Sequence, residues 1–377
     1  MEELMIKIKD KIAAENMTYQ YISDLSSVTK ASVSRFLSQS RETEFDSAVN
    51  IVNVVYPELK NEFIKTYAIN VERPINIRMA IEYTSTFGFI SEFKELIKAG
   101  IKDRNAEVSE TSCIYSVFAK WQVSEMSAKE LYEFVKQHKA SSEEMKIFIR
   151  LLEAYALAEM KQYDFMITSL CELEDRINEM QNGYFRKSYR ARLSELLMKV
   201  NVRKYNNPKE TRKHAKVILD SPVGDSFKAT AYFHYAQSHL FNNIDKVVKY
   251  YEKAIELYEK VNKPAHIKAS KENLQFAKIM WDKEITGSFT SLENELFYSY
   301  KYGYKNNMNR LLEKYDIENL DPMQKYLIGM INKDNKLLWK SMLEYKKCGD
   351  KFHATLPKIA LLSLDEDKFL VNAVFDQ

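Results

Sequence analysis

The sequence predicts an all-α protein. It has an N-terminal helix-turn-helix domain over residues 1–66, followed over 67–377 by a degenerate, tetratricopeptide-like right-handed helical solenoid. Three observations carry this. Among 377 residues there are only 8 Gly and 7 Pro, too few breakers for a sandwich, a barrel or any fold rich in tight turns. The stretch Thr18–Leu37, TYQYISDLSSVTKASVSRFL, reads as two short helices joined by a tight turn. From Pro74 onward, amphipathic segments of about 12 to 18 residues succeed one another across brief polar joints.

In the front unit, Tyr21, Ile22 and Leu25 are the expected apolar contacts of the first helix, and Ser23 is small where the second crosses. Val28 plugs the turn, and Ser27 stands where a glycine is usual. Thr29 is a good N-cap, while Val33, Phe36 and Leu37 anchor the second helix. That leaves Lys30, Ala31, Ser32, Ser34 and Arg35 facing outward, short or basic side chains suited to a major groove. The candidate DNA contacts are therefore Thr29, Lys30, Ser32, Ser34 and Arg35. Residues 1–60 hold 7 Lys and Arg against 9 Asp and Glu, so any positive field is local. Modest affinity as a monomer is expected, and dimerisation would raise it.

Behind the reader, Glu44–Val55 places Phe45, Ala48, Val49, Ile51, Val52 and Val55 on one helical face, and Pro57 ends that helix. A helix over Leu59–Ala68 leads to a boundary between 57 and 75. Segments such as FISEFKELIKAG and AKELYEFVKQHK then repeat the pattern. The clearest pair is Phe227–Val261. Small Ala236 and Ala254 allow close crossing there, with Tyr232, Leu240, Val247, Tyr251 and Leu257 around them, approximating a repeat with a period of about 34 residues.

Composition excludes several classes. With 45% hydrophobic and 29% charged residues and a formal charge of +3, the chain reads as an ordinary soluble protein. It has no run of eighteen apolar residues and no signal-peptide pattern, which predicts a cytoplasmic, non-membrane protein. Cys113, Cys171 and Cys348 are odd in number and far apart, so they predict buried thiols in a reducing compartment rather than disulfides or a zinc site. The histidines at 138, 214, 234, 239, 266 and 353 form no metal-ligand spacing. No phosphate loop, nucleophile elbow or dinucleotide fingerprint is present, so neither an enzyme nor a cofactor is expected. The 24 Tyr and 20 Phe read mainly as helix packing, with some left to line a concave groove for a peptide.

Three stretches, in order along the chain, carry a resemblance: NIVNVVYPE (Asn50–Glu58), AIEY (Ala80–Tyr83), and Asp350–Phe352 followed by Leu356 and Pro357. With them the chain resembles the arbitrium peptide receptors of Bacillus phages, the AimR family of peptide-sensing regulators. The resemblance implies a homodimeric transcription factor held through its C-terminal helices, bound to a paired double-stranded operator and activating a gene that promotes lysis. It further implies a short hexapeptide of Arg-Gly-Ala type that binds the solenoid and switches activation off, so that lysogeny ensues. Asp350 and Phe352 match family positions that hold and flank the peptide arginine, and Asn201 matches an amide that contacts peptide backbone. Elsewhere the chain departs. The family arginine falls near Ser226 and Lys228, a family asparagine is Gln237, and a groove glutamate aligns close to Asn294 between Glu293 and Glu295. These departures imply a different peptide.

Two alternatives stay open from the residues themselves. Asp350, following Gly349, is equally suited to cap a helix beginning at Lys351. The whole chain also fits a solenoid adaptor that binds a protein partner without DNA.

Overall fold

The computed structural model describes residues 1–376, apart from the side chain of Cys171, whose expected burial lies outside what is described. Among these residues the secondary structure is helical, with no strand. Contacts divide the chain into two compact units: Met1–Met160 with Thr168–Leu193 and Ser221–Gly224, and Lys161–Ile167 with Ser194–Asp220 and Asp225–Gln377.

The first unit opens with α1 (Glu2–Ala14), α2 (Tyr19–Ser26), α3 (Lys30–Ser38), α4 (Phe45–Val55), α5 (Lys60–Ala68) and α6 (Pro74–Phe87). Thr18 caps α2 by accepting from Tyr21 N at 3.1 Å. Ser27 then takes a left-handed φ of 56°, doing with a side chain what glycine usually does. The Ser26 hydroxyl supports that turn, donating to Ile22 O at 2.6 Å and accepting from Val28 N at 3.3 Å. One expectation fails here: Tyr21 and Leu25 are 51% and 56% exposed. The face buried by this eight-residue helix runs through Ile22 and Ser26, one turn apart, and Tyr21 and Leu25 sit about 100° away on its flank.

All six apolar positions read in α4 are buried. This helix is fastened to α6: Phe45 N donates to Asn76 Oδ1 at 3.0 Å, Tyr83 donates to Asp46 at 2.6 Å, and the Phe45 and Tyr83 rings lie 5.0 Å apart. Residues 1–66 thus share a packed core with α6 instead of standing apart from it.

That unit continues through α7 (Ile90–Gly100), α8 (Ala106–Gln122), α9 (Ala128–Gln137) and α10 (Glu143–Glu159). Its centre is a fully buried ion pair. Arg192 reaches both carboxylate oxygens of Glu82 at 3.1 Å, Tyr115 donates to the same carboxylate, and the rings of Phe118 and Phe148 face the guanidinium. Burial this complete is sustained only because every charge is answered.

Two helices are divided between the units: α11 (Tyr163–Cys171) and, beyond α12 (Leu173–Glu179), α13 (Tyr184–Arg203), whose later half from Ser194 belongs to the second. There it joins α14 (Pro208–Asp220), α15 (Asp225–Gln237), α16 (Ile244–Lys260) and α17 (Pro264–Met280). The repeat-like pair is α15 with α16. Ala236 and Ala254 are fully buried, Val247 and Tyr251 pack beside them, and Asn243 caps α16 through Lys246 N at 3.0 Å. A further core gathers Leu296, Leu327, Leu338, Met342, Leu356 and Leu361. Its helices are α18 (Leu292–Lys301), α19 (Lys305–Leu312), α20 (Pro322–Asn332), α21 (Asn335–Lys347), α22 (Lys351–Ser363) and α23 (Lys368–Asp376). Cys113 and Cys348 are half-buried rather than buried, and both are free thiols. No described helix is long and apolar enough to cross a membrane.

Candidate functional sites

On α3 the expected outward face is outward in most of its members. Lys30, Ala31 and Ser34 are exposed, and the opposite face buries Val33, Phe36 and Leu37. Thr29 is the N-cap, accepting from Ser32 N at 3.3 Å, and its hydroxyl donates to Ser32 Oγ at 3.0 Å. Arg35 is half-buried and laid along its own helix, with Nε donating to Ala31 O at 3.2 Å and Nη2 to Ser32 Oγ at 3.1 Å. Lys30 and Ser34 are therefore free to reach outward. Thr29, Ser32 and Arg35 form a local chain of hydrogen bonds that stiffens the first two turns.

In the second unit, Asp350 does cap α22, accepting from His353 N at 3.1 Å directly after Gly349, whose φ is 69°. Its carboxylate is also engaged by side chains: Arg203 Nη1 donates to Oδ2 at 2.9 Å, and His353 Nδ1 lies 2.8 Å from the same oxygen. Burial pushes this carboxyl up, but the hydrogen bonds and charges of His353 and Arg203 outweigh it and hold the group at about 2. His353 is itself held below the usual imidazole range by burial, reinforced by Arg203 and only partly offset by Asp350.

Next to this cluster is a cavity of about 40 Å³ lined by Val202, Asn206, Asn207, Gln237, Phe241 and Phe352, among others. Phe352 is buried and packs 5.6 Å from Phe241. Gln237 is only 1% exposed; its Oε1 lies 2.7 Å from His234 Nδ1, while its Nε2 has no hydrogen-bond partner. An unanswered amide donor costs on the order of 1–3 kcal/mol, so this group is poised to donate to an incoming carbonyl. Burial, with Arg203 and Lys199 nearby, drops His234 to about 3, keeping it neutral beside that amide.

Of the residues expected at a peptide site, Gln237 and Phe352 share this cavity and Asp350 begins the same helix as Phe352. Asn201 precedes the lining residue Val202, with its side-chain amide donating to Leu197 O at 2.9 Å. Lys228 and Asn294 are not among the lining residues. Lys228 is half-buried on the first turn of α15, and Asn294 is buried with Nδ2 donating to Glu272 O at 2.9 Å. Glu293 and Glu295 face local partners, Gln324 and Asn307. Sequence reading missed Arg203 and His353. His353 was within reach, one turn after a capping Asp, whereas Arg203 lies 147 residues from Asp350 and carries no local signal.

A capped helix with an exposed outer face thus stands near the front of a chain built otherwise of packed helices, the arrangement expected of a helix-turn-helix protein of helical-repeat type. The profile of the family described as AimR transcriptional regulator-like matches residues 60–363, and the chain belongs to that family. The AimR transcriptional regulator of Bacillus phage SPbeta is 24% identical over 89% of this chain and 90% of its own length. That of Bacillus phage phi3T is 20% identical over 97% and 99%. The selenomethionine structure of phAimR superposes with a TM-score of 0.78 at 20% identity, covering 99% of this chain and all of the other. Ligand-bound phAimR gives 0.70 at 21% identity over 86% and 98%. The fold is therefore shared from end to end, and the resemblance read from the residues holds.

Proposed function

We propose that this chain is a DNA-binding regulator of phage lysis and lysogeny, whose activity a short communication peptide switches off by binding in the second unit. Residues 1–66 act as the DNA-binding domain with its linker helix, and 67–377 as the peptide-binding and dimerisation region. Thr29, Lys30, Ser32, Ser34 and Arg35 serve the duplex: Lys30, Ser34 and Arg35 by contact, Thr29 and Ser32 by holding the helix start. Peptide contacts fall to Asn201, Lys228, Gln237, Asn294, Asp350 and Phe352, with the peptide arginine addressed to Asp350. The protein works as a homodimer inside the bacterial host cell.

One observation carries the reading: Gln237 presents a buried, unpartnered amide to a cavity flanked by a carboxylate held ionised at Asp350. A relative's structure with bound ligand supports it. As it stands the cavity holds a water or so and not a hexapeptide, so binding must open the space between α14, α15 and α22. Opening is how a peptide gains a preference for one conformation, without which it switches nothing. Calorimetry with hexapeptides ending in Arg-Gly-Ala tests this, followed by duplex-binding titrations with and without the best binder. Saturable heat and a weakened duplex isotherm are expected. No heat with any Arg-containing hexapeptide, or an isotherm unmoved at saturation, removes the switch.

A further inference from the structure

A second feature of the front unit lies beside the reading helix. The end of α3, the loop before α4 and the start of α6 enclose a cleft of about 530 Å³ lined by Arg35, Arg41 and Arg73, together with Ser32 and Ser47. Arg41 and Arg73 are exposed, and none of the three guanidinium groups is ion-paired with a described residue.

Two carboxylates also line the cleft, and they are not equivalent. Glu42 is committed to the fold: it accepts from the backbone N–H groups of Glu72 and Arg73 at 3.1 and 3.0 Å and from Asn76 Nδ2 at 2.5 Å. Those bonds tie the residue-42 loop to the start of α6 and bring Arg41 and Arg73, distant in sequence, onto one cavity. Glu44 is exposed and makes no capping hydrogen bond. Three like charges gathered without an ionic partner repel one another, and an anion relieves that repulsion. Guanidinium forks and hydroxyls suit phosphate oxygens. Ser32 and Arg35 belong both to this cleft and to the reading helix, so whatever anion enters lies next to whatever that helix reads.

We infer that the cleft receives a backbone phosphate of the duplex, with Arg41 and Arg73 as charge contacts that read no sequence. This rests on the DNA-reading proposal and extends the interface beyond α3. It also explains how a front unit with no net positive charge grips DNA: the cations are collected on one side by the fold.

The test uses the full-length chain and a fluorescein-labelled duplex of about 30 base pairs of arbitrary sequence, by anisotropy between 50 and 300 mM KCl. Because each phosphate contact contributes about 0.9 to the slope of log K against log salt, the double variant Arg41→Gln, Arg73→Gln, which empties this one phosphate site, should lose about one from that slope. It should also bind roughly tenfold or more weakly near 100 mM salt, by the same factor on a duplex selected from a random pool. The pair Arg41→Lys, Arg73→Lys should keep the slope, and Glu44→Gln should tighten binding severalfold. Unchanged slope and affinity in the glutamine pair, while the wild type binds, overturns the inference. So does a loss confined to the selected duplex, which would make the arginines base readers. If the folded wild type binds no duplex at all, the DNA-reading proposal falls with it. Thermal melts check folding, and the lysine pair separates lost charge from lost structure.

Discussion

The two candidate sites handle charge in opposite ways. Around α3, Lys30, Arg41 and Arg73 are exposed cations with no ionic partner among the described residues. In the second unit the charge is already spent internally, since Asp350 is held by Arg203 and His353 in a largely dry setting. An unpartnered surface cation waits for an external anion and loses little on release, as suits reversible, salt-sensitive binding. Under the proposed function, a peptide guanidinium addressed to Asp350 would share or compete for a carboxylate that Arg203 already engages. The first arrangement favours readiness; the second would set a threshold for any cation proposed to bind there, because it meets an existing pair rather than a vacant carboxylate.

The largest effect is expected in the core of the first unit, where the Arg192–Glu82 pair is the extreme case of an answered charge. Glu82→Ala strands the guanidinium and should cost about 3 to 5 kcal/mol, read by urea unfolding. A loss under about 1 kcal/mol would show that burial there is not what makes partnering obligatory. Next comes Asp350→Asn, which should weaken an Arg-containing peptide by about 2 to 4 kcal/mol in calorimetry. Arg203→Met should act with the opposite sign and tighten that peptide, since it clears the competitor. Loss of binding in both variants would mean that Arg203 helps the ligand rather than opposing it.

The third test is a pH dependence. His234 has a folded pKa of about 3 against 6.5 unfolded, so the unfolded chain binds a proton there that the native chain refuses. Its contribution is present above 6.5 and is lost as pH falls towards 3. Between pH 7 and 5 that amounts to about 2 kcal/mol, seen as a lower unfolding midpoint. His234→Gln should flatten the slope over that range, and an unaltered slope would remove His234 as its source. The smallest effect is Thr29→Ala, which deletes one capped N–H of α3 and should cost about 1 kcal/mol by thermal melt, with duplex binding weakened only modestly.

How much was legible in the sequence depends on how local each signal is. The six buried positions of α4 were readable because one helical face buries them all, and the caps at Thr29 and Asp350 because a cap acts within one turn. Tyr21 and Leu25 misled because an eight-residue helix exposes part of a face that a longer apolar pattern would bury. Family likeness pointed to Gln237 and Phe352, which line one cavity, and to Lys228 and Asn294, which do not, because likeness along the chain does not say which side chains packing brings together. The pairing of Arg203 with Asp350 and the gathering of Arg41 with Arg73 depend on segments that meet only after folding. A count of charges along the chain averages both away.

The proposed role of the α3 surface is to grip a duplex. Its most direct test is anisotropy on a duplex selected by this protein from a random pool, comparing the wild type with Lys30→Ala, Arg35→Ala at matched salt and verified folding. Tight, salt-sensitive binding by the wild type and at least roughly tenfold weaker binding by the variant are expected. Equal affinity of the two proteins would contradict it.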